Sequence, residues 1–117
     1  MRDVEAAAAA GDEAATLAFD VFVHRLVTGI GAMAAAAGGL DALVFTAGIG
    51  EHSPAVRAAA ASRLGHLGVR IDVGRNDGAC GDADISHAQA SARSLVIAAR
   101  EDLQISRETR SILEASS

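Results

Sequence analysis

The chain has 117 residues and a formal net charge of −5, the length of one small domain, and its hydrophobic fraction of 50% excludes wholesale disorder. Twenty-eight of the apolar residues are Ala, Trp and Tyr are absent and Phe numbers three, so the core is light and its large contacts are aliphatic. All ten basic residues are Arg, set against fifteen acids without a basic patch, which argues against nucleic-acid binding; the single Cys excludes an intrachain disulfide and a Cys-rich zinc site and fits a reducing, cytoplasmic setting.

No apolar run reaches the roughly 18 residues expected of a membrane span, and the acidic start (Met1, Arg2, Asp3, Val4, Glu5) lacks the charge pattern of a signal peptide. Residues 3 to 10 read as a short Ala-driven helix closed by Gly11. Asp12 then caps a long helix to about Ala37, with Phe19, Phe22, Val23, Leu26, Val27, Ile30 and Met33 on one face at helical spacing. Asp20, His24, Arg25 and Thr28 fall opposite, and Gly38 and Gly39 end the helix.

Leu43, Val44, Phe45 and Thr46 read as a buried strand. A Gly48-x-Gly50 turn follows, and Ser53 with Pro54 make an N-cap and first turn for a helix to Leu64 or Gly65, with Val56, Ala60 and Leu64 on one side. Residues 69–72 alternate like a strand, and residues 74–84 read as a Gly- and Asp-rich loop. Residues 95–98 read as a second buried strand, and a last helix starts near Glu101 with Ile105, Thr109, Ile112 and Leu113 on its inner face. Helices alternating with short apolar strands give an α/β fold with a small mixed or parallel sheet.

The strongest local chemistry is the strand, glycine turn and helix around Gly48 and Gly50. Glycines let a backbone approach a phosphate or a ribose closely; the bland alternative is a tight turn needing positive φ at Gly48 or Gly50. Gly48-x-Gly50-x-x-Ser53 lacks the third glycine of a dinucleotide fingerprint, yet Asp72 ends the next strand about twenty residues on, where an NAD site holds its ribose, so a Rossmann half competes. A Walker A loop is excluded because the chain has no Lys. His66 and His87 have no partner at metal-ligand spacing, and Cys80 has no neighbouring base. Asp77, Asp82 and Asp84 lack the spacing and closing Glu of a calcium loop. His24 lies on the polar helix face.

Residues 41–53, DALVFTAGIGEHS, resemble the glycine-turn segment of the acetate kinase family. VRID at 69–72, Ile85 with Ser86, LVI at 95–97 and EDLQISRET at 101–109 follow in that family's order, and the helix over residues 17–33 is similar to the one preceding its strand. The resemblance covers essentially the whole chain. It implies an actin-like, ribonuclease H-like ATPase fold, as in the acetate and sugar kinase, heat-shock ATPase and actin superfamily. The implied reaction transfers the γ-phosphoryl of ATP to acetate, propionate or butyrate, in a cytoplasmic homodimer that assembles through this half. By the same resemblance residues 1–117 are the C-terminal, nucleotide-binding portion of a longer enzyme, and the N-terminal domain is absent. The acetate pocket and the catalytic groups lie upstream, so no catalytic residue is assigned here.

The family match implies that Gly48, Ile49, Gly50, Glu51 and His52 lie against ATP or ADP. Arg2 matches an Arg of the adenosine-binding stretch, and Glu101 matches a Glu associated with Mg²⁺. His52 stands where the family commonly has Asn; either side chain can hydrogen-bond a hydroxyl or phosphate. Taken without the resemblance, Glu101 is an acid favourably placed at a helix start, Arg2 a solvated terminal charge, and Glu51 a support for the helix that follows. A light core and missing catalytic groups also fit a nonenzymatic interaction remnant. The isolated chain is expected to be marginally stable or self-associating.

Overall fold

A computed structural model describes residues 1–116. Helix α1 (Arg2–Ala9) leads into α2 (Glu13–Ala37), which starts where the Asp12 carboxylate accepts from Ala15 N at 2.8 Å and stops where Gly38 turns left-handed at φ 79°. Strand β1 (Ala42–Phe45), α3 (Ala47–His52) and α4 (Pro54–Ser62) follow. After a 3₁₀ turn over Gly65–Leu67 come α5 (Val73–Asp77), β2 (Ala83–Asp84), β3 (Arg93–Val96) and α6 (Glu101–Ala115). The sheet is mixed: β3 is central, parallel to β1 with Leu43 opposite Ser94, and antiparallel to β2.

The core is small and aliphatic. Leu43 and Phe45 of β1, Ala61 and Leu64 around the end of α4, Val69, Ile85, Ala92 and Val96 pack together, and Val27 and Ile30 of α2 close one side. Ser94, fully buried in β3, carries a hydroxyl without a hydrogen-bond partner among the described residues, while its backbone N–H donates to the Ser86 hydroxyl at 2.7 Å. An orphaned hydroxyl costs its desolvation without return. Ser94→Ala is therefore expected to leave the urea midpoint unchanged or raise it, by up to about 1 kcal/mol in unfolding free energy.

Several elements differ from expectation. Val44 is 49% exposed, because β1 is an edge strand with only Leu43 and Phe45 turned inward. Residues 69–72 form no strand: Val69 and Ile71 make isolated bridges to Ala92 and Ser86, and Asp72 caps α5 by accepting from Arg75 N at 2.9 Å. The span 74–84 is therefore not all loop, since it holds most of α5 and all of β2. The second strand begins two residues earlier than its apolar run, because Arg93 N already pairs with Asp41 O.

The largest departure is exposure. Met33 is 74% exposed, and α6 has no buried residue: Ile105, Ile112 and Leu113, expected on an inner face, are each more than 60% exposed. The surface is 7519 Å², against about 5900 Å² for a compact chain of this mass. The radius of gyration is 17.1 Å, against about 13 Å. Contrary to the reading that no run spans a membrane, α2 is long and apolar enough to do so by length and composition, with 17% of its most apolar window buried. Large side chains such as Leu17, Phe22, Leu26 and Ile30 supply most of that apolarity, but Asp20, His24 and Arg25 interrupt them, so no unbroken apolar run forms.

Candidate functional site

Parallel pairing puts the C-terminal ends of β1 and β3 side by side, and the chain leaves both there, into α3 and into the approach to α6. In open α/β sheets this is where ligands bind. Beyond Phe45 the chain stays extended at Thr46 (φ −146°, ψ 173°) and turns at Ala47 (φ 58°). The positive φ expected at Gly48 or Gly50 falls on Ala47 instead, at a cost of about 1 kcal/mol. The glycine turn is itself a short helix, α3. Gly50 is needed for a different reason: a Cβ there would come within 3.2 Å of the Phe45 carbonyl carbon, whereas one on Gly48 would meet nothing within 4 Å.

A cavity of about 320 Å³ opens on this segment, lined by Met1, Arg2, Glu5, Gly48, Ile49, His52 and Ser53. Four of the sequence-predicted residues, Arg2, Gly48, Ile49 and His52, thus meet in one place although Arg2 lies 46 positions before Gly48. The junction is held by Ser53, whose hydroxyl donates to the Glu5 carboxylate of α1 and accepts from Val56 N at 3.1 Å as the N-cap of α4. Of the remaining predicted residues, Gly50 packs on Phe45, the Glu51 carboxylate accepts from Ala99 N at 2.7 Å, and Glu101 is exposed at the start of α6; none of the three lines the cavity.

Arg57 is the residue that sequence reasoning missed. It is fully buried in α4; Nε donates to Asn76 Oδ1 at 2.7 Å and one terminal nitrogen donates to Asn76 O at 2.8 Å. The other terminal nitrogen donates to Gly50 O at 2.9 Å and Glu51 O at 2.8 Å. The guanidinium therefore holds the carbonyls at the end of α3, where a helix presents unpaired acceptors and favours a cation. Burial pulls its pKa below the ordinary arginine value, with Asp77 pulling the other way. An Arg on the inward side of an Ala-rich helix, beside Val56 and one turn before Ala60 and Ala61, was the available signal.

The approach to Glu101 is fixed by carboxylates. Asp82 accepts from Ala98 N at 2.9 Å and pairs with Arg100 at 2.8 Å, and Asp84 pairs with Arg93 at 2.5 Å, so these acids face arginines rather than a calcium ion. The Ala98 amide and Arg100 hold Asp82 below the ordinary aspartate value of 3.8, and Arg93 with Ser86 holds Asp84 well below it. Both groups are lowered on folding. Their stabilisation is thus present above the unfolded value and lost as pH falls through the folded one. Asp82→Asn should therefore run parallel to wild type above about pH 5 in a urea-midpoint series and show a shallower acid limb below about pH 4. Superimposable acid limbs would contradict this.

For a metal, the donor set is sparse: among the described residues no three His, Cys, Asp or Glu side chains gather. Mg²⁺ keeps most of its water and is held by one or two carboxylates together with substrate phosphates. A single exposed carboxylate such as Glu101 fits a magnesium ion carried by a nucleotide and does not fit a cage made by protein alone. Elsewhere, His24 meets Arg63 at 3.2 Å, His87 accepts from Gln89 N, and Cys80 is free and exposed.

Comparison with known proteins bears on the site as a whole. The acetokinase family model matches residues 1–107. The chain belongs to the acetokinase family. It is 53% identical over 98 residues to the acetate kinase of Gloeobacter violaceus and 47% identical over 114 residues to that of Nostoc punctiforme, covering 84% and 97% of this chain and 24% and 28% of theirs. The acetate kinase structure from Porphyromonas gingivalis superposes with a TM-score of 0.84 at 34% identity, over 96% of this chain and 28% of that one. A propionate kinase from Francisella tularensis gives 0.80 at 36% identity, over 89% and 26%. The chain therefore spans between 24% and 28% of the length of these relatives, and its α/β architecture is that of the acetokinase family's actin-like ATPase fold. Asp72, which an NAD site would need at the end of a strand, is the cap of α5.

Proposed function

We propose that this chain is the nucleotide-binding side of an acetate kinase, with ATP or ADP seated in the cavity between Arg2 and the segment 48–52. The observation carrying this is the meeting of Arg2 with Gly48, Ile49 and His52 in one cavity; family resemblance assigns both stretches to the nucleotide on separate grounds. In this reading Arg2 lies against the adenosine end, the backbone of Gly48 and Ile49 lets the ligand approach closely, and His52 hydrogen-bonds a hydroxyl or phosphate oxygen. Gly50 and Glu51 shape the segment from behind. Glu101 would hold Mg²⁺, and a bound ion there would supply neutralising charge for the phosphate oxygens.

In the complete reaction an acetate oxygen attacks the γ-phosphorus of ATP, the bond to the bridging oxygen breaks, and acetyl phosphate and ADP form. Such a transfer is mostly positioning and charge neutralisation around the moving group. This chain's contribution is to hold the nucleotide; the reading assigns none of its residues to the carboxylate, so the likeness to a propionate kinase fits equally. The exposed apolar residues of α2 are the face on which two copies of the complete enzyme pair, in a cytoplasmic protein that engages neither membrane nor nucleic acid.

Calorimetric titration of the 117-residue chain with ADP, ATP and NAD, each with and without Mg²⁺, tests the reading. Saturable ADP binding that is tightened by Mg²⁺ and weakened by Arg2→Ala is expected. Absence of nucleotide heat would mark a nonenzymatic remnant, and preference for NAD would restore the dinucleotide reading. A hydroxamate assay of the chain alone should show no turnover; a rate near that of a full-length family member would overturn that. Sedimentation should find self-association, and a stable, cooperatively unfolding monomer would count against it.

A further inference from the structure

Glu51 is an unexpected neighbour for a phosphate, since a carboxylate repels it. Its side chain makes a different connection. Oε1 accepts from Ala99 N at 2.7 Å and so ties the glycine segment to a residue 48 positions later, just before Glu101. The main chain of Glu51 is itself anchored, because its carbonyl accepts from the buried Arg57 guanidinium at 2.8 Å. On the donor side, the last sheet bond after β3 runs from Ile97 N to Phe45 O at 2.9 Å. Beyond it the next two amides go to carboxylates, Ala98 N to Asp82 and Ala99 N to Glu51, and Arg100 is held by Asp82. Arg100 precedes α6 without any side-chain cap, so these contacts are what orient the entry to Glu101.

We infer that Glu51 is a positioning residue: its carboxylate locks the nucleotide-facing segment 48–52 to the backbone leading into Glu101, so that the cavity and the magnesium-side carboxylate keep one register. Arg57 fixes the near end of this strut and Asp82 braces the far end. Glu51 does not touch the nucleotide in this arrangement; it sets where a second group stands. A bond from a carboxylate to a backbone amide is charge-assisted, and at this exposed position it is worth roughly severalfold in a local equilibrium. The inference rests on the nucleotide and magnesium reading above.

The test compares wild type, Glu51→Ala and Glu51→Gln in the 117-residue chain, with amide exchange of Ala99 by NMR and ADP affinity with and without Mg²⁺. Glu51→Ala should speed Ala99 exchange severalfold and abolish the tightening of ADP by Mg²⁺, whatever its effect on metal-free ADP affinity. Glu51→Gln keeps an acceptor oxygen and should retain most of both. A merely structural loss would weaken ADP equally with and without the metal. If Glu51→Ala does not fold, Ala99→Pro removes the same bond from its other partner and should give the same loss. If wild type binds ADP with Mg²⁺ enhancement and these variants keep that enhancement, the positioning role is wrong and the nucleotide reading stands. If wild type binds no ADP, the nucleotide reading fails and the inference falls with it.

Discussion

Arg57→Ala is expected to unfold the chain or bring it to the edge of unfolding. The guanidinium makes four hydrogen bonds from a fully buried position, to Asn76 Oδ1 and to the carbonyls of Asn76, Gly50 and Glu51. Truncation leaves those acceptors to be satisfied by whatever water can enter, and it opens a cavity beneath α3. Leaving a buried acceptor without its donor costs about 1–3 kcal/mol, so losing several at once takes a large share of the 5–15 kcal/mol that holds a small domain together. Arg57→Lys should recover only part of this, because one ammonium cannot span two separate pairs of carbonyl and amide oxygens as a planar fork does. Arg57→Met keeps most of the volume without the donors, so it divides the loss between packing and hydrogen bonding. Urea midpoints for the three variants check the order, with Lys above Met and Met above Ala. An Arg57→Ala midpoint equal to wild type would show that the network is replaced by solvent at no cost.

The fate of Arg57 illustrates which parts of the molecule are legible in a sequence. Helix ends were, because caps are local: Asp12, Gly38 and Ser53 each do what their side chain or backbone freedom dictates. The strand β1 was legible as an element, and the packing of Val56, Ala60 and Leu64 followed from helical spacing. Less legible was anything that depends on a distant partner. Residues 69–72 alternate in hydropathy, but the sheet reaches only single bridges there, and Asp72 finds α5 to cap. The apolar stripe of α6 is as regular as any in the chain, yet among the described residues it buries no side chain, because periodicity reports a face without reporting what covers it. The same division runs through the candidate site. Gly48 and Gly50 read identically as a motif, whereas the structure gives them different duties, Gly50 against Phe45 and Gly48 at the cavity wall. Glu51 was legible as a charged member of the segment, but its bond to Ala99 spans 48 residues and leaves no local trace.

That difference between the glycines supports the second large effect. Gly48→Val is expected to leave the fold intact and to weaken ADP by roughly 5- to 150-fold. The fold is indifferent because Gly48 has an ordinary negative φ and a Cβ built on it meets no atom within 4 Å. A β-branched residue inside the short α3 costs only a few tenths of a kcal/mol in helix propensity, and replacing Gly offsets that by restricting the unfolded chain. The ligand is not indifferent, because the new side chain projects from a residue that lines the cavity of about 320 Å³ shared with Arg2 and His52. Three added methyl-sized groups in a cavity of that size displace part of anything that fills it, and an overpacked contact costs about 1–3 kcal/mol, which is roughly a 5- to 150-fold loss of affinity. Gly50→Ala should behave in the opposite way. Its Cβ meets the Phe45 carbonyl carbon at 3.2 Å, so α3 must shift and the urea midpoint must fall together with binding. Measuring both quantities for both variants separates a glycine kept for the ligand from one kept for the turn. If Gly48→Val retains both its midpoint and its ADP affinity, the nucleotide lies elsewhere than against Gly48.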